Sequence, residues 1–536
     1  MKELTGTGKL IRLILRRDRW LMPLWVLFLG LVPISYVATI NELFPTAAGR
    51  QEYAGASAHN AGFVALYGPL SGSSLGELVA WRAGFLPVMI GLFSILTVIR
   101  HTRTEEEAGR RELLGATVTG RHAGLAAALI TTLAANAVLG AILAAGMIGQ
   151  GLPTAGSWAL GAGFASTGWV FAATAAVAAQ LTSGAGSARG IAITILGTAY
   201  ALRVAGDISD LSASGTLSWL SWLSPIGWAH RMYPYGQDEW WPLALAVGVI
   251  VVLTTAAVAL SARRDIGAGL LPPRLGPATA APGLRSPLAL AWRLHRGLLA
   301  GWTAGFVALA VVMGYLAAGI GDLVRDNKEM MDIFARLGGV EGLIDNYLAG
   351  TLGLFGLVAS AYAIQATLRL REEETSGRAE PVLGTAIGRI RWAGSHLAFS
   401  LLGPAVVLAA AGLAMGLTHG LNTGDVGREV PRVLAGAMVQ LPAVWVLAAI
   451  TVLLFGALPR LAAIGWGPLV ICLLFGLVGT AMGLDQRVLD ISPFTHLPRL
   501  PGGEFGVAPL VWLVAIAAGV TAAGLTTLRR RDLPTT

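Results

Sequence analysis

The sequence predicts an all-α polytopic membrane protein of about twelve transmembrane helices, arranged as two parallel six-helix repeats. The chain has 536 residues, of which 55% are hydrophobic and only 13% are charged, whereas soluble domains are roughly 25% charged. Its apolar residues form long blocks, and a block of about 20 residues can cross the hydrocarbon core as a helix. Polar motifs recur about 268 residues apart, which is half of the chain, as expected for an internal duplication.

The apolar blocks define the predicted spans. Each must be a helix, because hydrocarbon offers no partners for backbone polar groups. The first block is too long for a signal-peptide core and no small-residue cleavage site follows it, so we expect it to be retained. The predicted spans are residues 22–42, 80–100, 123–148, 157–181, 188–206, 241–261, 298–320, 349–369, 394–417, 433–457, 462–483 and 507–527.

The distribution of basic residues predicts the orientation. Lys and Arg concentrate in the N-terminal segment, after the second span, and after the sixth and twelfth spans. The positive-inside rule therefore places both termini in the cytoplasm. This asymmetry explains the formal net charge of +8, so we predict no nucleic-acid partner.

The duplication predicts the domain organisation. Glu112 and Glu380 are 268 residues apart, as are Arg121 and Arg389. Six spans per copy return the chain to the side from which it started, so the copies are parallel repeats. We predict a first half at residues 1–266, a cytoplasmic linker rich in Pro and Gly at 267–287, and a second half at 288–536.

A basic stretch opens the chain before the first span. In KLIRLILRRDRW, Arg12, Arg16 and Arg19 recur at helical spacing among apolar residues, which predicts an amphipathic helix in the membrane interface. The alternative is a set of positive-inside arginines without a helix of their own. The preceding GTGK is not a phosphate-binding loop, because it lacks most of that motif's spacing.

Two similar polar stretches follow the second span of each half. The first acidic segment is EEEAGRRELLGATVTGR, residues 105–121, and the second acidic segment is EEETSGRAEPVLGTAIGR, residues 372–389. Carboxylates favour a helix N-terminus, so each stretch predicts a short surface helix with an acidic lip and a basic end. Aligned on their acidic triplets, the second segment has Ser376 as an insertion.

The same place in both halves favours a docking element for a soluble protein over a plain connecting loop. The candidate docking residues of the first acidic segment are Glu105, Glu106, Glu107, Gly109, Arg110, Glu112, Gly120 and Arg121. Those of the second acidic segment are Glu372, Glu373, Glu374, Gly377, Arg378, Glu380, Gly388 and Arg389.

These motifs carry a family resemblance. The acidic segments resemble the region of type-2 ATP-binding cassette exporter permeases where a coupling helix meets the ATPase. SPIGW at Ser224–Trp228 resembles another feature of that class, and SPFTH at Ser492–His496 is a degenerate copy. The duplicated twelve-span form is similar to the permeases of actinobacterial antibiotic exporters of the tetronasin-resistance type.

The resemblance implies a permease subunit in a bacterial plasma membrane. Such a subunit exports hydrophobic or amphipathic compounds, including drugs and antibiotics, by alternating access. The chain has no complete Walker motif, so ATP and Mg²⁺ would be bound by a separate cytoplasmic ATPase. Because one chain carries both halves, we expect two ATPase copies for each chain.

The alternative is an ion-coupled secondary multidrug transporter. Ion coupling usually requires ionisable groups near the membrane midplane, but Asp and Glu fall in loops or at span ends, with Glu77 and Asp207 placed near the outer side. The eight His residues are scattered, so we predict neither a metal site nor a catalytic site.

A substrate path would run among the spans. Polar and aromatic residues within them can line a cavity or simply pack helices together. The candidate path residues are Phe85, Phe93, Asn136, Tyr200, Phe355 and Gln440.

Overall fold

A computed structural model describes residues 2–211, 215–271, 278–325, 339–476 and 485–532. Within these ranges the chain is helical and has no β-strand, which confirms the predicted fold class. The chain divides into two compact units, Met1–Gly276 and Pro277–Thr536. The division falls inside the stretch predicted as a linker.

The first unit consists of thirteen α-helices in its described part and two short 3₁₀ helices. The α-helices are α1 (Thr7–Arg17), α2 (Leu21–Leu43), α3 (Ala47–Ala58), α4 (Ala61–Tyr67), α5 (Leu75–Arg82), α6 (Leu86–His101), α7 (Arg103–Glu107), α8 (Arg110–Gly115), α9 (Ala123–Gly149), α10 (Thr154–Leu181), α11 (Ala185–Ser209), α12 (Pro225–His230) and α13 (Trp241–Ala262). The 3₁₀ helices are Lys2–Leu4 and Ser218–Leu223.

The second unit has nine α-helices and three 3₁₀ helices within the described ranges. The α-helices are α14 (Pro287–Arg325), α15 (Gly339–Thr375), α16 (Ala379–Leu383), α17 (Arg389–Thr423), α18 (Val426–Met438), α19 (Leu441–Ala457), α20 (Trp466–Leu474), α21 (Gln486–Leu489) and α22 (Val507–Arg530). The 3₁₀ helices are Pro282–Leu284, Pro459–Gly465 and Pro493–His496.

Eleven stretches of the described chain are long and apolar enough to cross a membrane. They correspond to the first ten predicted spans and to the last one. The remaining prediction, residues 462–483, extends outside the described residues, and its described part belongs to the shorter apolar helical stretch Pro459–Leu474. The structure therefore supports a polytopic membrane protein.

The second predicted span, residues 80–100, starts too early. The chain breaks between α5 and α6, and only the part from Leu86 onward belongs to a candidate span. Gly84 lies at the break, where the carbonyl oxygen of Tyr67 occupies the space that a Cβ would need. Close backbone approach and Pro87 in the first turn of α6 together end one helix and start another, because proline suits the first turn of a helix.

The core of the first unit is built around α10. This helix packs against α6, α9, α11 and α13, and 83% of its apolar window is buried. At its crossing with α9, a Cβ on Gly140 would lie 2.5 Å from the carbonyl oxygen of Gly161. Glycine is needed on both helices, as in other close contacts between membrane helices.

A methyl group at this crossing should destabilise the fold. We expect the Gly161→Ala variant to lower the Tm of the detergent-purified protein by several degrees, since overpacking costs about 1–3 kcal/mol. Gly197 in α11 is the matched control, because no atom lies within 4 Å of its Cβ position and alanine favours helix there. Equal Tm changes in the two variants would contradict the tight crossing.

The N-terminal stretch is a separate helix, α1, and it packs against α9. Ile14 is buried, whereas Arg12 and Arg16 are exposed, so the helix is amphipathic as predicted. The chain before it is tied down by backbone hydrogen bonds, since the amide of Gly120 donates to the carbonyl of Thr5 at 2.9 Å. The N-terminus thus lies against the end of the first acidic segment.

Candidate functional site

The first acidic segment forms two short helices joined by a turn. Helix α7 contains its three glutamates, Gly109 follows with a φ of 68°, and α8 runs from Arg110 to Gly115. The second acidic segment has the same turn at Gly377, with a φ of 70°. Such a positive φ favours glycine, which explains why both segments carry Gly at this position.

Glu106 is buried at the centre of a cluster of arginines. Its Oε2 accepts from Nη1 of Arg103 at 2.6 Å and from Nη1 of Arg264 at 2.8 Å. Its Oε1 accepts from Nη2 of Arg264 at 2.9 Å, and Nη1 of Arg111 lies 3.5 Å away. The carboxylate is therefore directed into the protein, contrary to the prediction of an exposed acidic lip.

The other two glutamates of the triplet also make internal contacts. Glu105 lies 2.8 Å from Nη1 of Arg17, and its carboxylate accepts two hydrogen bonds of 2.8 Å from Arg110. Glu107 accepts a hydrogen bond of 3.0 Å from the amide of Ala185, the first residue of α11. A carboxylate at this position stabilises the helix N-terminus, so the triplet joins α7 to α1 and α11.

The second acidic segment makes equivalent contacts within its own unit. Glu374 accepts a hydrogen bond of 2.6 Å from Arg531, as Glu106 does from Arg264. Glu373 accepts from Nε of Arg378 at 3.2 Å, as Glu105 does from Arg110. Glu372 pairs at 3.1 Å with Arg369, one turn earlier on α15.

These contacts correct the alignment of the two acidic segments. Glu105 corresponds to Glu373 and Glu106 to Glu374, each 268 residues later. The interpretation of Ser376 as an insertion is therefore wrong, because the triplets are offset by one position and no residue is added. A carboxylate is required only at the two positions that bind arginines.

The basic ends of the acidic segments hold the last span of each unit. Nη2 of Arg121 donates to the carbonyl of Ala262 at 2.9 Å and to that of Arg264 at 3.1 Å, at the end of α13. Nη1 of Arg389 donates to the carbonyls of Arg529 and Arg531 at the end of α22. Both arginines satisfy carbonyls that a helix end leaves unpaired.

The exposed part of the first acidic segment lies beyond these ion pairs. Leu113 is 75% exposed and Val118 is 89% exposed, between the candidate spans Leu86–Glu107 and Ala123–Gly149. Arg110 and Glu112 are exposed beside them. Large apolar side chains exposed together outside the spans are typical of an interaction surface.

The exposed part of the second acidic segment is less apolar. Pro381 and Ala386 occupy the positions of Leu113 and Val118, and both are exposed. Glu380 and Gly388 are exposed as well. The two segments therefore share an internal frame but present different outer surfaces.

A buried ion pair lies next to the first acidic segment. Asp18 Oδ2 lies 2.6 Å from Nε2 of His101, and Oδ1 lies 3.1 Å from Arg100. Burial alone would raise the pKa of Asp18, but the hydrogen bond and charge of His101 and the charge of Arg100 outweigh burial and lower it. The pair therefore stabilises the fold above the ordinary aspartate pKa of about 3.9, and this contribution is lost as the pH falls through the lower folded pKa.

The arginines around the first acidic segment respond in opposite directions. The hydrogen bond to Glu105 raises the pKa of Arg110, whereas burial lowers the pKa of Arg111. Arginine stays charged at physiological pH in either case. The surroundings of Glu106 are thus rich in positive charge.

The candidate path residues of the first unit are engaged in helix packing. Asn136 is fully buried and donates to Ser94 Oγ at 3.0 Å, so it bridges α9 and α6. Phe93 stacks on Trp25, and Phe85 meets Tyr200 edge to face at 5.9 Å. These contacts fit the packing alternative, and a role in transport remains a prediction.

The two path residues of the second unit are also buried. Phe355 packs against Phe306 with ring centroids 5.4 Å apart. Gln440 donates to the carbonyl of Gly436 and contacts Gly356. Neither residue lines the two cavities that we describe, both of which lie in the first unit.

Comparison with known proteins identifies the family. A family model described as the C-terminal domain of the multidrug efflux system permease Rv1217c matches residues 11–260 and 284–529, one stretch in each compact unit. The multidrug efflux system permease protein Rv1217c of Mycobacterium tuberculosis (strain ATCC 25618 / H37Rv) is 46% identical over 531 residues, which cover 99% of this chain and 95% of that protein. The chain belongs to this permease family. The resemblance drawn from the sequence motifs is thereby confirmed.

Sequence reasoning missed the arginines that organise the permease's acidic segments. Arg264 and Arg531 each follow the last span of their unit and bind the equivalent carboxylates Glu106 and Glu374. A signal existed, since these arginines are 267 residues apart, close to the offset of the acidic segments. Arg103, which is fully buried, could have been found only from the fold.

Proposed function

We propose that this chain is the transmembrane permease subunit of an ATP-driven exporter of hydrophobic or amphipathic compounds. Two copies of a separate cytoplasmic ATP-binding cassette ATPase would dock on the two acidic segments. The observation that carries the proposal is the pair Leu113 and Val118, which are exposed outside the spans on a segment anchored by buried charge. Such a surface is suited to burial against a soluble partner.

The internal contacts supply a route for mechanical coupling. Each acidic segment is bonded to the end of its unit's last span, through Glu106 and Arg121 in the first unit and through Glu374 and Arg389 in the second. Charge-assisted hydrogen bonds of this kind are strong. A displacement of either segment would therefore move α13 or α22, as alternating access requires.

The partner would bind ATP and Mg²⁺, and this chain would carry the cargo. The name of the Mycobacterium tuberculosis relative describes multidrug efflux, which favours a broad range of apolar compounds over one small polar substrate. The membrane itself is the expected route of entry for such cargo. Both termini would lie in the cytoplasm of a bacterial cell.

An ion-coupled transporter is the second candidate. In the candidate spans of the described chain, carboxylates lie near helix ends, and the buried Asp207 and Glu429 have arginines nearby. Asp207 lies 3.6 Å from Arg203, and Glu429 lies 2.9 Å from Arg432. Neither arrangement places a carboxylate at a span centre, where ion coupling usually requires one.

Energy dependence distinguishes the two candidates. In inside-out vesicles containing the permease and its ATPase, we expect drug accumulation to require ATP and to persist when a protonophore collapses the proton gradient. Accumulation with a proton gradient but no nucleotide would refute the ATP-driven proposal. Vesicles containing the permease alone are the control for passive partition of the drug.

A further inference from the structure

A cavity of about 450 Å³ opens beside the first acidic segment. Its wall includes Arg17 just before α2, His101 at the end of α6, Gly124 at the start of α9, and Arg264 just after α13. All four helices belong to candidate membrane spans. The cavity therefore lies where the spans end, at the depth of the lipid headgroups.

The wall of the cavity is positively charged. Four arginines, Arg17, Arg111, Arg121 and Arg264, face two carboxylates, Glu105 and Asp265. The guanidinium of Arg111 lies over Gly124, where a Cβ would be 2.8 Å from Nη1. Two cations thus stand at the N-terminus of α9, whose dipole already favours an anion there.

The lip of the same cavity is apolar. Leu13 on α1 is 41% exposed and Ile266 is 54% exposed, and both line the cavity. A small hydrated anion would gain nothing from these side chains. An amphiphile with an anionic head could place its phosphate among the guanidiniums and its glycerol and first methylenes against the lip.

We propose that this cavity binds the headgroup phosphate of an anionic glycerophospholipid. Guanidinium groups bind phosphate through paired, charge-assisted hydrogen bonds, and basic pockets between span ends suit anionic headgroups. The volume is within the range of small-molecule sites, about 300–1,000 Å³. The site belongs to the first unit and does not depend on what the permease transports.

Arg17 and Arg16 provide a matched test. Both lie in the last turn of α1 and both are exposed, but only Arg17 lines the cavity. Detergent-purified full-length protein is titrated with short-chain phosphatidylglycerol, and the half-saturating concentration is read from the rise in Tm. We expect Arg17→Gln to raise that concentration about tenfold, the effect of losing one charge-assisted hydrogen bond, and Arg16→Gln to leave it within about twofold.

A second pair of variants and two other ligands keep the result interpretable. Leu13→Glu introduces a carboxylate at the lip, and Leu15→Glu, equally exposed on α1 but outside the cavity, is its control. Phosphatidylcholine of the same chain length and inorganic phosphate should each give a much smaller Tm rise in the wild-type protein. Equal weakening by Arg16→Gln and Arg17→Gln, or equal stabilisation by phosphatidylcholine, would overturn the proposal. A full effect from inorganic phosphate would assign the cavity to a small anion instead.

Discussion

The Glu106→Gln variant is expected to be poorly folded, with a Tm far below that of the wild type. Glu106 is the carboxylate shared by Arg103, Arg111 and Arg264, and its side chain is only 3% exposed. Removing one partner from a buried ion pair typically costs about 3–5 kcal/mol. Native proteins have a total stability of only about 5–15 kcal/mol, so little folded protein should remain.

Glu112→Gln is the control for this variant. Glu112 belongs to the same acidic segment and is exposed, so its substitution should leave the Tm nearly unchanged. Fluorescence-detected size exclusion and thermal unfolding in detergent provide the two measurements. A Glu106→Gln protein with wild-type yield and a Tm within about 2 °C of wild type would show that the arginine cluster does not need this carboxylate.

This expectation changes how reversal of the acidic triplets must be interpreted. Loss of transport after reversing Glu105 to Glu107 would follow from the broken internal contacts, whether or not an ATPase docks there. The same holds in the second unit, where Glu373 is buried and Glu374 binds Arg531. Docking must therefore be tested on residues that make no buried ion pair.

The fold class follows from local properties of the sequence, whereas the ion pairs do not. Hydropathy is summed over neighbouring residues, so a predicted span such as 241–261 agrees closely with α13, Trp241–Ala262. The partner of Glu106 is Arg264, 158 residues away, and no local pattern indicates that contact. The break at Gly84 is equally non-local, because the carbonyl of Tyr67 causes it.

The role of the acidic triplets was misjudged for a related physical reason. Three consecutive carboxylates indicate exposure when each is considered alone, because burying an unpaired charge is costly. The cost falls when arginines are brought close, and here they come from α1, α7 and the end of α13. The exposed surface is instead provided by Leu113 and Val118, which hydropathy alone would assign to a protein core.

Replacing both Leu113 and Val118 by aspartate is expected to abolish docking at the first acidic segment without unfolding the permease. Both side chains are largely exposed, so the isolated protein should keep its Tm. Burying a large apolar side chain stabilises a contact by about 1.5–3 kcal/mol, so losing two should weaken ATPase binding at least a hundredfold. Drug-stimulated ATPase activity should fall accordingly.

Pro381→Asp with Ala386→Asp is the matched change in the second acidic segment. These positions present less apolar area, so we expect a smaller loss of ATPase activity than in the first segment. The mass of the purified complex decides the arrangement, because one chain with two acidic segments should bind two ATPase subunits in the wild type and one in the first variant. Two permease chains for every two ATPases would refute the view that one chain contains both docking sites. A first variant that retains both ATPases and full activity would exclude Leu113 and Val118 as the docking surface and leave the membrane interface as their place of burial.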